Sequence, residues 1–234
     1  MHPYPSVSVI IPIRTGSQRV PQKNTRSFAG IRGGLTALKL RQLATTSGLA
    51  EIVVDTDEPS IHDIVDSLEL NAAQRSLIKI TERDPWYARN ETSTDDLIGY
   101  LAGKVTGDIL LWTHVTSPLV DGPIYQTAIA RYRAALAEGY DSLMTVTRLQ
   151  EFIWDSGKAV NYDYERVKWP RTQDIVPWFF INSAIFIYDA KLAVARKNRI
   201  GDRPFMMELN KTEGWDVDWP EDFQVAELLY LGRK

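Results

Sequence analysis

The sequence predicts an α/β protein with a mixed, mostly parallel sheet flanked by helices. Short apolar runs alternate along the chain with longer segments of helical periodicity. The runs at 7–13 and 51–56 are continuous and rich in β-branched residues, as is typical of strands buried on both faces of a parallel sheet. This alternation favours right-handed crossovers and a ligand at the carboxyl ends of the strands.

The remaining elements follow the same alternation. We expect further strands near residues 77–80, 108–115, 142–147, 181–188 and 205–209. We expect helices near residues 35–47, 60–68, 92–104, 123–138, 190–197 and 220–231. Thr92 is predicted to open its helix, with Asp95 completing a capping box.

The alternation stops between residues 150 and 180. This segment is rich in tryptophan and tyrosine, and its turn sequence DSGK at 155–158 indicates an extended hairpin. It is either a loop-rich lobe or an arm that covers the site or a partner subunit, since aromatic side chains are enriched at interfaces. We therefore expect an α/β domain formed by residues 1–149 and 181–234, with a small arm at 150–180.

Composition excludes several classes of function. The 234 residues carry a net charge of -3, which does not suggest a nucleic-acid or anionic-membrane partner. No apolar run is long enough to span a bilayer, and the absence of cysteine removes disulfides and thiolate chemistry. The first residues, MHPYPS, lack the basic region of a signal peptide, so a cytoplasmic protein is expected.

The loop after the first strand has the residues of a polyphosphate site. Residues 14–24, RTGSQRVPQKN, offer the amides around Gly16, the Ser17 hydroxyl and the charges of Arg14, Arg19 and Lys23. The glycine spacing fits neither a dinucleotide-binding fingerprint nor a phosphate-binding P-loop. Taken alone, the loop would be better explained as an ordinary basic surface turn.

Two carboxylates precede the last predicted helix. If Asp216 and Asp218 lie on a strand, their side chains face the same way and can converge on Mg²⁺. The alternative is that they interact with the dipole of the helix that follows. Asp55 and Asp57 form a second Asp-x-Asp pair, in which Asp57 is interpreted as a helix-entry residue.

Two further segments place polar groups near the same sheet edge. His114, Thr116 and Ser117 follow the strand at 108–115, where the histidine is either structural or functional. Arg83 and the hydroxyls at 92–94 precede the next helix, and helix capping is the simpler interpretation of those hydroxyls.

Six motifs in one order resemble the acylneuraminate cytidylyltransferase family, the CMP-sialic acid synthetases. They are IIPIRTGSQRVPQKN at 10–24, EIVVDTDEPSI at 51–61, the stretch from Arg83 to Thr94, THVTSP at 113–118, RTQDIVPWFFINSAIFI at 171–187 and WDVDWPEDF at 215–223. The resemblance runs nearly end to end. It implies a nucleotidyltransferase fold that is Rossmann-like and similar to the fold of GT-A glycosyltransferases. It also implies a homodimer, with a dimerisation arm at 150–180.

The resemblance also implies the reaction and its residues. CMP would pass from CTP to an acidic sugar, with Mg²⁺ held by Asp216 and Asp218 and with Arg14 and Lys23 sharing the catalytic role. The implied nucleotide-binding residues are Arg14, Gly16, Ser17, Gln18, Lys23, Asn24, Arg83 and Thr94, of which Arg83 would help to read cytosine. The expected acceptor-binding residues are His114, Thr116, Ser117, Arg171 and Asn182.

Four positions depart from the family pattern and leave the acceptor open. Gln18 replaces a lysine and His114 a glutamine that contacts the sugar, while Phe180 replaces an arginine and Ser183 a glycine. Losing the arginine removes a group suited to a carboxylate. These departures leave CMP transfer to another acid such as a phosphonate, and an inert CTP-binding regulator, as alternatives. A GT-A-type glycosyltransferase is a further alternative, because an Asp-x-Asp motif on an α/β fold also binds nucleotide-sugars.

Overall fold

The computed structural model describes residues 5–89 and 91–233. Residues 1–4, which form part of the N-terminal stretch interpreted above, lie outside the described residues. The strands are β1 (Val7–Ile13), β2 (Leu49–Thr56), β3 (Ile78–Glu82), β4 (Ile109–Thr113), β5 (Ser142–Leu149), β6 (Trp154–Asp155), β7 (Lys158–Ala159), β8 (Trp178–Asp189) and β9 (Pro204–Leu209). The helices are α1 (Gly34–Ala44), α2 (Ser60–Asp66), α3 (Ala72–Leu77), α4 (Thr94–Ala102), α5 (Gly122–Ala137), α6 (Ala190–Arg196) and α7 (Pro220–Leu231).

A mixed sheet forms the centre of the molecule. Within the described residues it has seven strands in the order β3-β2-β1-β4-β8-β5-β9. Neighbours from β3 to β4 are parallel, as are β5 and β9, whereas β8 is antiparallel to both β4 and β5. The predicted mixed, mostly parallel sheet flanked by helices is confirmed.

Each face of the sheet carries its own apolar core. Val9 and Ile11 of β1 are buried on the side where α1, α2 and α5 pack. Ile10 points to the other side, with Trp112 and Phe186, against buried residues of α4 and α6. Because side chains alternate along a strand, one continuous apolar run supplies both cores.

The predicted helices and strands are present, with some corrected boundaries. Helix α4 begins at Thr94 and is capped by Ser93, whose hydroxyl accepts from the amide of Asp96 at 3.1 Å, so the expected Thr92–Asp95 box is wrong. The Thr92 hydroxyl instead donates to the carbonyl of Trp86. Helix α3 was not predicted, and β8 begins at Trp178 rather than at residue 181.

The arm region contains one short hairpin of β6 and β7, as the turn sequence predicts. Its aromatic rings pack edge to face, with Phe152 between Tyr162 and Trp169 and with Trp154 against Tyr164. None of the helices in the described ranges has the length and apolarity needed to cross a membrane.

Candidate active site

The polar segments singled out by the sequence meet at one edge of the sheet. The loops at 14–33, 114–121 and 210–219 each follow the carboxyl end of a strand, namely β1, β4 and β9. Because β8 runs the other way, its first residues lie at this same edge, where Phe180 pairs with Thr147 near the end of β5. The topology thus places these three loops at one edge of the sheet, and the loop after β9 crosses back to the loop at 114–121, where the amide of Val217 donates to the carbonyl of Thr116.

The basic loop is a folded structure rather than a free turn. Gly16 and Gln22 both have positive φ, and the amide of Lys23 donates to the carbonyl of Val20, whose side chain is buried. The side-chain amide of Asn24 donates to the carbonyl of Arg14 at 3.3 Å, which holds the two ends of the loop together. A cleft of about 290 Å³ results, lined by Arg14, Ser17, Gln18, Arg19, Lys23 and Asn24.

The acidic pair lies directly against this cleft. The carboxylate of Asp218 is 3.2 Å from the guanidinium of Arg19 and 3.3 Å from the ammonium of Lys23. Lys23 also donates to the carbonyl of Val217 at 2.7 Å, and the Arg19 guanidinium stacks over the ring of Trp219. Two segments almost two hundred residues apart in the chain are therefore one site.

Asp216 is the more buried member of the pair. Burial raises the pKa of Asp216 to about 6 and the charge of Asp218 adds to the rise, whereas a hydrogen bond from Thr116 and the charge of Lys23 oppose it. Its Oδ1 is buried and has no hydrogen-bond partner within the described part of the chain. A buried carboxylate oxygen without a partner is costly unless a ligand satisfies it.

The two carboxylates are brought together by a loop, not by the strand that the sequence suggested. Residues 215–218 have no regular secondary structure. The amide of Val217 donates to the carbonyl of Thr116 at 2.9 Å, and the Val217 side chain is fully buried. With Val217 anchored, Asp216 and Asp218 on either side of it both line the crevice, although the segment is not a strand.

The cap of α7 is supplied by Asp222. Its Oδ2 accepts from the amides of Asp218 and Trp219 at 3.1 and 2.8 Å. A carboxylate in the first turn of a helix satisfies amides that lack an intrahelical partner. The alternative in which Asp216 and Asp218 serve mainly the helix terminus is therefore not favoured.

The segment after β4 divides into an accessible part and a buried part. Thr116 reaches Asp216, and His114 is half-buried beside Trp112. Ser117 is fully buried, its carbonyl accepts from the ammonium of Lys39 at 2.8 Å, and its hydroxyl has no partner among the described residues. Direct contact between Ser117 and an acceptor is thus not supported by this conformation.

Arg83 lies in the interior rather than on an open surface. Its Nε is 2.5 Å from Oδ1 of Asp55, and its terminal nitrogen donates to the Asp55 carbonyl at 3.0 Å. Lys104 pairs with the other carboxylate oxygen of Asp55. The Asp55 carboxylate is therefore structural, and the arginine that was expected to read cytosine is held by an ion pair.

Asp57 is not the helix-entry residue that the sequence suggested. Its two oxygens accept from the amide and the hydroxyl of Thr15, each at 2.8 Å. The entry to α2 is instead bridged by Glu58, which accepts from the amide and hydroxyl of Ser60. Asp57 therefore fixes the start of the basic loop.

Asn182 and Arg171 have protein partners in this structure. Asn182 is 1% exposed, and its side-chain amide bonds with the hydroxyls of Thr145 and Thr147, which gives it a structural role. Arg171 is an exposed arm residue whose guanidinium pairs with Asp174 at 2.8 Å. Thr94 is the exposed first residue of α4.

Sequence reasoning missed two cations near the site. Lys39 is fully buried and donates to the carbonyls of Ser117 and Val120, which fixes the loop after β4. Its spacing in line with Leu35 and Leu43, on the apolar face of α1, is a signal that could have revealed it. Arg199, which contacts His114, lies in the connection after α6 and has no comparable signal.

Comparison with known proteins agrees with the geometry. The sequence pattern of the family described as cytidylyltransferase matches residues 8–231. An N-acylneuraminate cytidylyltransferase of Streptococcus agalactiae serotype III (strain NEM316) is 26% identical over 220 residues, which cover 92% of this chain and 51% of the relative. The chain thus spans about half the length of this curated relative.

Other similar proteins match over their whole length. A CMP-N,N'-diacetyllegionaminic acid synthase of Legionella pneumophila is 24% identical, over 95% of each chain. A CMP:2-keto-3-deoxy-manno-octonic acid synthetase solved with CTP superposes with a TM-score of 0.65 at 16% identity, over 98% of this chain and 100% of that one. A 4-diphosphocytidyl-2C-methyl-D-erythritol synthase from Anaerococcus prevotii gives a TM-score of 0.67 at 14% identity, over 98% and 97%. These structures share the fold, and the family match over residues 8–231 shows that the chain belongs to the cytidylyltransferase family.

Proposed function

We propose that the protein transfers CMP from CTP to an acidic sugar and releases pyrophosphate. The observation that carries the proposal is the contact of Lys23 and Arg19 with Asp218, beside the buried, unpartnered oxygen of Asp216. A cluster of cations joined to two carboxylates suits a triphosphate with its counter-ion better than it suits a neutral substrate. The family match and the acidic-sugar products named for the relatives point the same way.

The basic loop would hold the triphosphate. Arg14, Lys23 and the Ser17 hydroxyl border one cleft, in which Gly16 lets the backbone turn with φ of 74°. Gln18 lines the same cleft at the position where the family has a lysine, and its side chain can donate hydrogen bonds but carries no charge. Arg19 also lines this cleft and carries a positive charge. Asn24, whose side chain donates to the carbonyl of Arg14, would hold the two ends of this loop together next to the ribose.

The carboxylates fit Mg²⁺. Mg²⁺ is usually held by one or two carboxylates, with water and substrate phosphates completing its ligands, and Asp216 and Asp218 supply that set. No cluster of three or more such ligating side chains occurs in the ranges 5–89 and 91–233, so the phosphates would have to complete the site. Bound there, the ion would neutralise charge on the phosphates and on the leaving pyrophosphate.

The acceptor hydroxyl would attack the α-phosphorus of CTP, forming the new phosphorus–oxygen bond as the bond to pyrophosphate breaks and as the hydroxyl proton passes to solvent or to the departing pyrophosphate. Lys23 would neutralise the phosphates during this step, because its ammonium lies between the two loops. Thr116, which lies beside Asp216 and lowers its pKa, would help to orient that carboxylate. Positioning and charge stabilisation would supply most of the rate, without a nucleophilic side chain.

A phosphonate acceptor is the second candidate. Phe180 takes the position of the family's arginine and is 55% exposed at the mouth of a cleft that also contains Asp216, Asp218 and Trp219. A pocket wall of this kind offers apolar area rather than a carboxylate-binding fork. The acceptor's acid group would then depend on other cations.

We infer that the arm at 150–180 forms a homodimer interface. Its exposed aromatic side chains include Trp154 at 47% and Trp169 at 74%. Exposed apolar patches rich in tryptophan favour protein–protein contacts. The exposed start of β8, from Trp178 to Ile181, continues this surface toward the site.

A pyrophosphate-release assay tests the proposal. The four ribonucleoside triphosphates are crossed with a panel of nonulosonic acids, octulosonic acids and phosphonates, with Mg²⁺ and with EDTA. We expect release only with CTP, an acid and Mg²⁺, and a loss of at least a hundredfold in Asp218→Ala. Turnover with a nucleotide-sugar donor but not with CTP would favour a glycosyltransferase, and CTP binding without turnover would favour a regulator.

A further inference from the structure

Arg199 is a cation without an anionic partner beside the site. It follows α6 in the connection to β9, and its guanidinium is 3.2 Å from Nε2 of His114. The guanidinium carbon, Cζ, lies over both neighbouring rings, 4.1 Å from the ring centre of Phe186 and 5.2 Å from that of Trp112. Among residues 5–89 and 91–233, no carboxylate oxygen comes within 4.0 Å of its nitrogens.

Other arginines of the chain show the contrast. Arg131, Arg171 and Arg196 each pair with a carboxylate, and these contacts raise their pKa values. Burial instead lowers the pKa of Arg199 to about 10, with no carboxylate to oppose the effect. A partly buried charge of this kind is costly until an anion meets it.

The neighbours of Arg199 satisfy only part of its bonding capacity. Stacking on Trp112 and Phe186 engages the faces of the guanidinium, which favours aromatic contacts. Its edges carry five N–H donors, and His114 accepts from one of them. Among the described residues no other hydrogen-bond partner of Arg199 is present, and the half-buried side chain leaves the remaining donors accessible to an oxyanion.

His114 holds the guanidinium in place. Trp112 and Arg199 can only donate, so Nε2 of His114 accepts from both, at 3.0 and 3.2 Å, and the proton of the neutral ring is on Nδ1. Burial lowers the pKa of His114 to about 3, and the positive charges of Arg199, Lys23 and Lys39 add to the effect. A neutral imidazole whose Nε2 already faces two hydrogen-bond donors is suited to positioning rather than to proton transfer.

Arg199 is also separate from the cations proposed for the triphosphate. It reaches His114 from the side of the sheet covered by α4 and α6, whereas Arg14, Arg19 and Lys23 belong to the loop after β1. His114 follows β4, which lies beside β1 and ends at the same sheet edge as the basic loop, and Arg199 contacts His114. Arg199 therefore adds a second positive group at this edge.

We propose that Arg199, positioned by His114, Trp112 and Phe186, binds an oxyanion of the acceptor and so selects acidic acceptors. The shared chemistry is that of a carboxylate or a phosphonate, either of which can accept two parallel N–H bonds from the guanidinium. This inference rests on the proposed transfer to an acid. Arg199 would then take the role of the arginine that the family has at the position of Phe180.

Steady-state kinetics with matched acceptors test the assignment. Arg199→Met should raise the acceptor KM at least tenfold and leave the CTP KM within twofold, and Arg199→Lys should recover part of the loss. Arg196→Met is the matched control, because Arg196 is exposed and already paired with Asp202, and it should behave as the parent protein does. Replacing the acceptor's acid by its amide should cost the parent at least tenfold and cost Arg199→Met little.

A positioning role for His114 has its own signature. His114→Gln retains an acceptor for the guanidinium and should keep the acceptor KM within threefold, whereas His114→Leu should raise it as Arg199→Met does, with kcat changed less. Equal losses on the acid and its amide, or an unchanged acceptor KM in Arg199→Met, would overturn the assignment.

Failure of the proposed reaction would be recognised separately, by absence of pyrophosphate release in the parent protein with every acceptor. Calorimetric titration of the same acids then decides. Binding to the parent that is lost in Arg199→Met and kept in Arg196→Met supports the oxyanion site, while equal binding to both variants, or no binding of any acid, rules it out.

Discussion

The ammonium of Lys23 joins the two halves of the candidate site: it donates to the carbonyl of Val217 at 2.7 Å and lies 3.3 Å from the carboxylate of Asp218. Its side chain is 13% exposed, whereas that of Asp218 is 45% exposed. The lysine is thus fixed before any ligand arrives, and the aspartate keeps access to the crevice. Such preorganisation is what a charge-stabilising group requires.

Replacing Lys23 should therefore impair catalysis more than folding. We expect Lys23→Met to lower kcat/KM for CTP by about a hundredfold or more, the loss typical of one preorganised charged donor. Arg26→Met is the control, because Arg26 belongs to the same loop but stacks on Phe223. Comparable losses in the two variants would show that loop folding, rather than the Lys23 charge, sets activity.

The buried ion pair between Arg83 and Asp55 provides a second prediction. Both side chains are at most 2% exposed, so removing the guanidinium leaves an uncompensated carboxylate. We expect Arg83→Met to lower the free energy of unfolding by about 3–5 kcal/mol, measured by urea denaturation. Lys104→Met should cost less, because that side chain is more exposed and Arg83 remains.

The opposite result would support the expected role of Arg83 in binding the cytosine of CTP. An unchanged unfolding midpoint combined with a raised CTP KM would mean that the arginine leaves Asp55 to read the base. The double variant Asp55→Asn with Arg83→Met separates the two roles further, because it removes both charges and should regain part of the stability of Arg83→Met.

These contacts show which features local sequence could predict. The strands of the sheet were predicted because apolar runs such as that of β1 are buried on both faces. Helix α3 was missed because none of its residues is buried, so it has no apolar periodicity to detect. The family resemblance implied that the basic and acidic segments share one nucleotide site, and Lys23 does contact Asp218.

The side-chain partners were less predictable. A charged residue such as Asp55 inside an apolar strand signals a buried partner but does not name it, and Arg83 directly follows the neighbouring strand β3. Arg199 comes from a connection whose path depends on how α6 packs against α4. Local patterns report which face a residue occupies, whereas pairings across the fold depend on tertiary packing.

Glu51 predicts an acid-dependent loss of stability. Burial alone would raise the pKa of this carboxyl, but hydrogen bonds from Lys79, Thr106 and Ser8 outweigh it and hold the pKa at about 2, below its ordinary value of 4.5. Because the folded-state pKa is lowered, the stabilisation is complete above about pH 5 and is lost as the pH falls from 4.5 toward 2. The shift corresponds to about 3 kcal/mol.

Urea unfolding of Glu51→Gln across this range measures the effect. The stability difference from the parent should be constant above pH 5 and should shrink between pH 4.5 and 2. Glu138→Gln is the control, since Glu138 is exposed and paired with Arg131 at the surface, and its difference should be small throughout. A constant Glu51→Gln difference down to the lowest pH would contradict the assigned contacts.

The exposed aromatic surface of the arm carries the last prediction. Trp169 packs edge to face with Phe152 while 74% of its surface remains exposed, so it stabilises the arm little and would bury the most new surface against a partner. We expect the parent protein to be a dimer by light scattering after gel filtration, and Trp169→Ser to raise the dissociation constant at least tenfold. Trp86→Ser is a suitable control, because Trp86 is also exposed, at 56%, but lies outside the arm. A monomeric parent protein, or equal effects of the two substitutions, would exclude the arm as the dimer interface, because burial of large aromatic anchors dominates the energetics of such contacts.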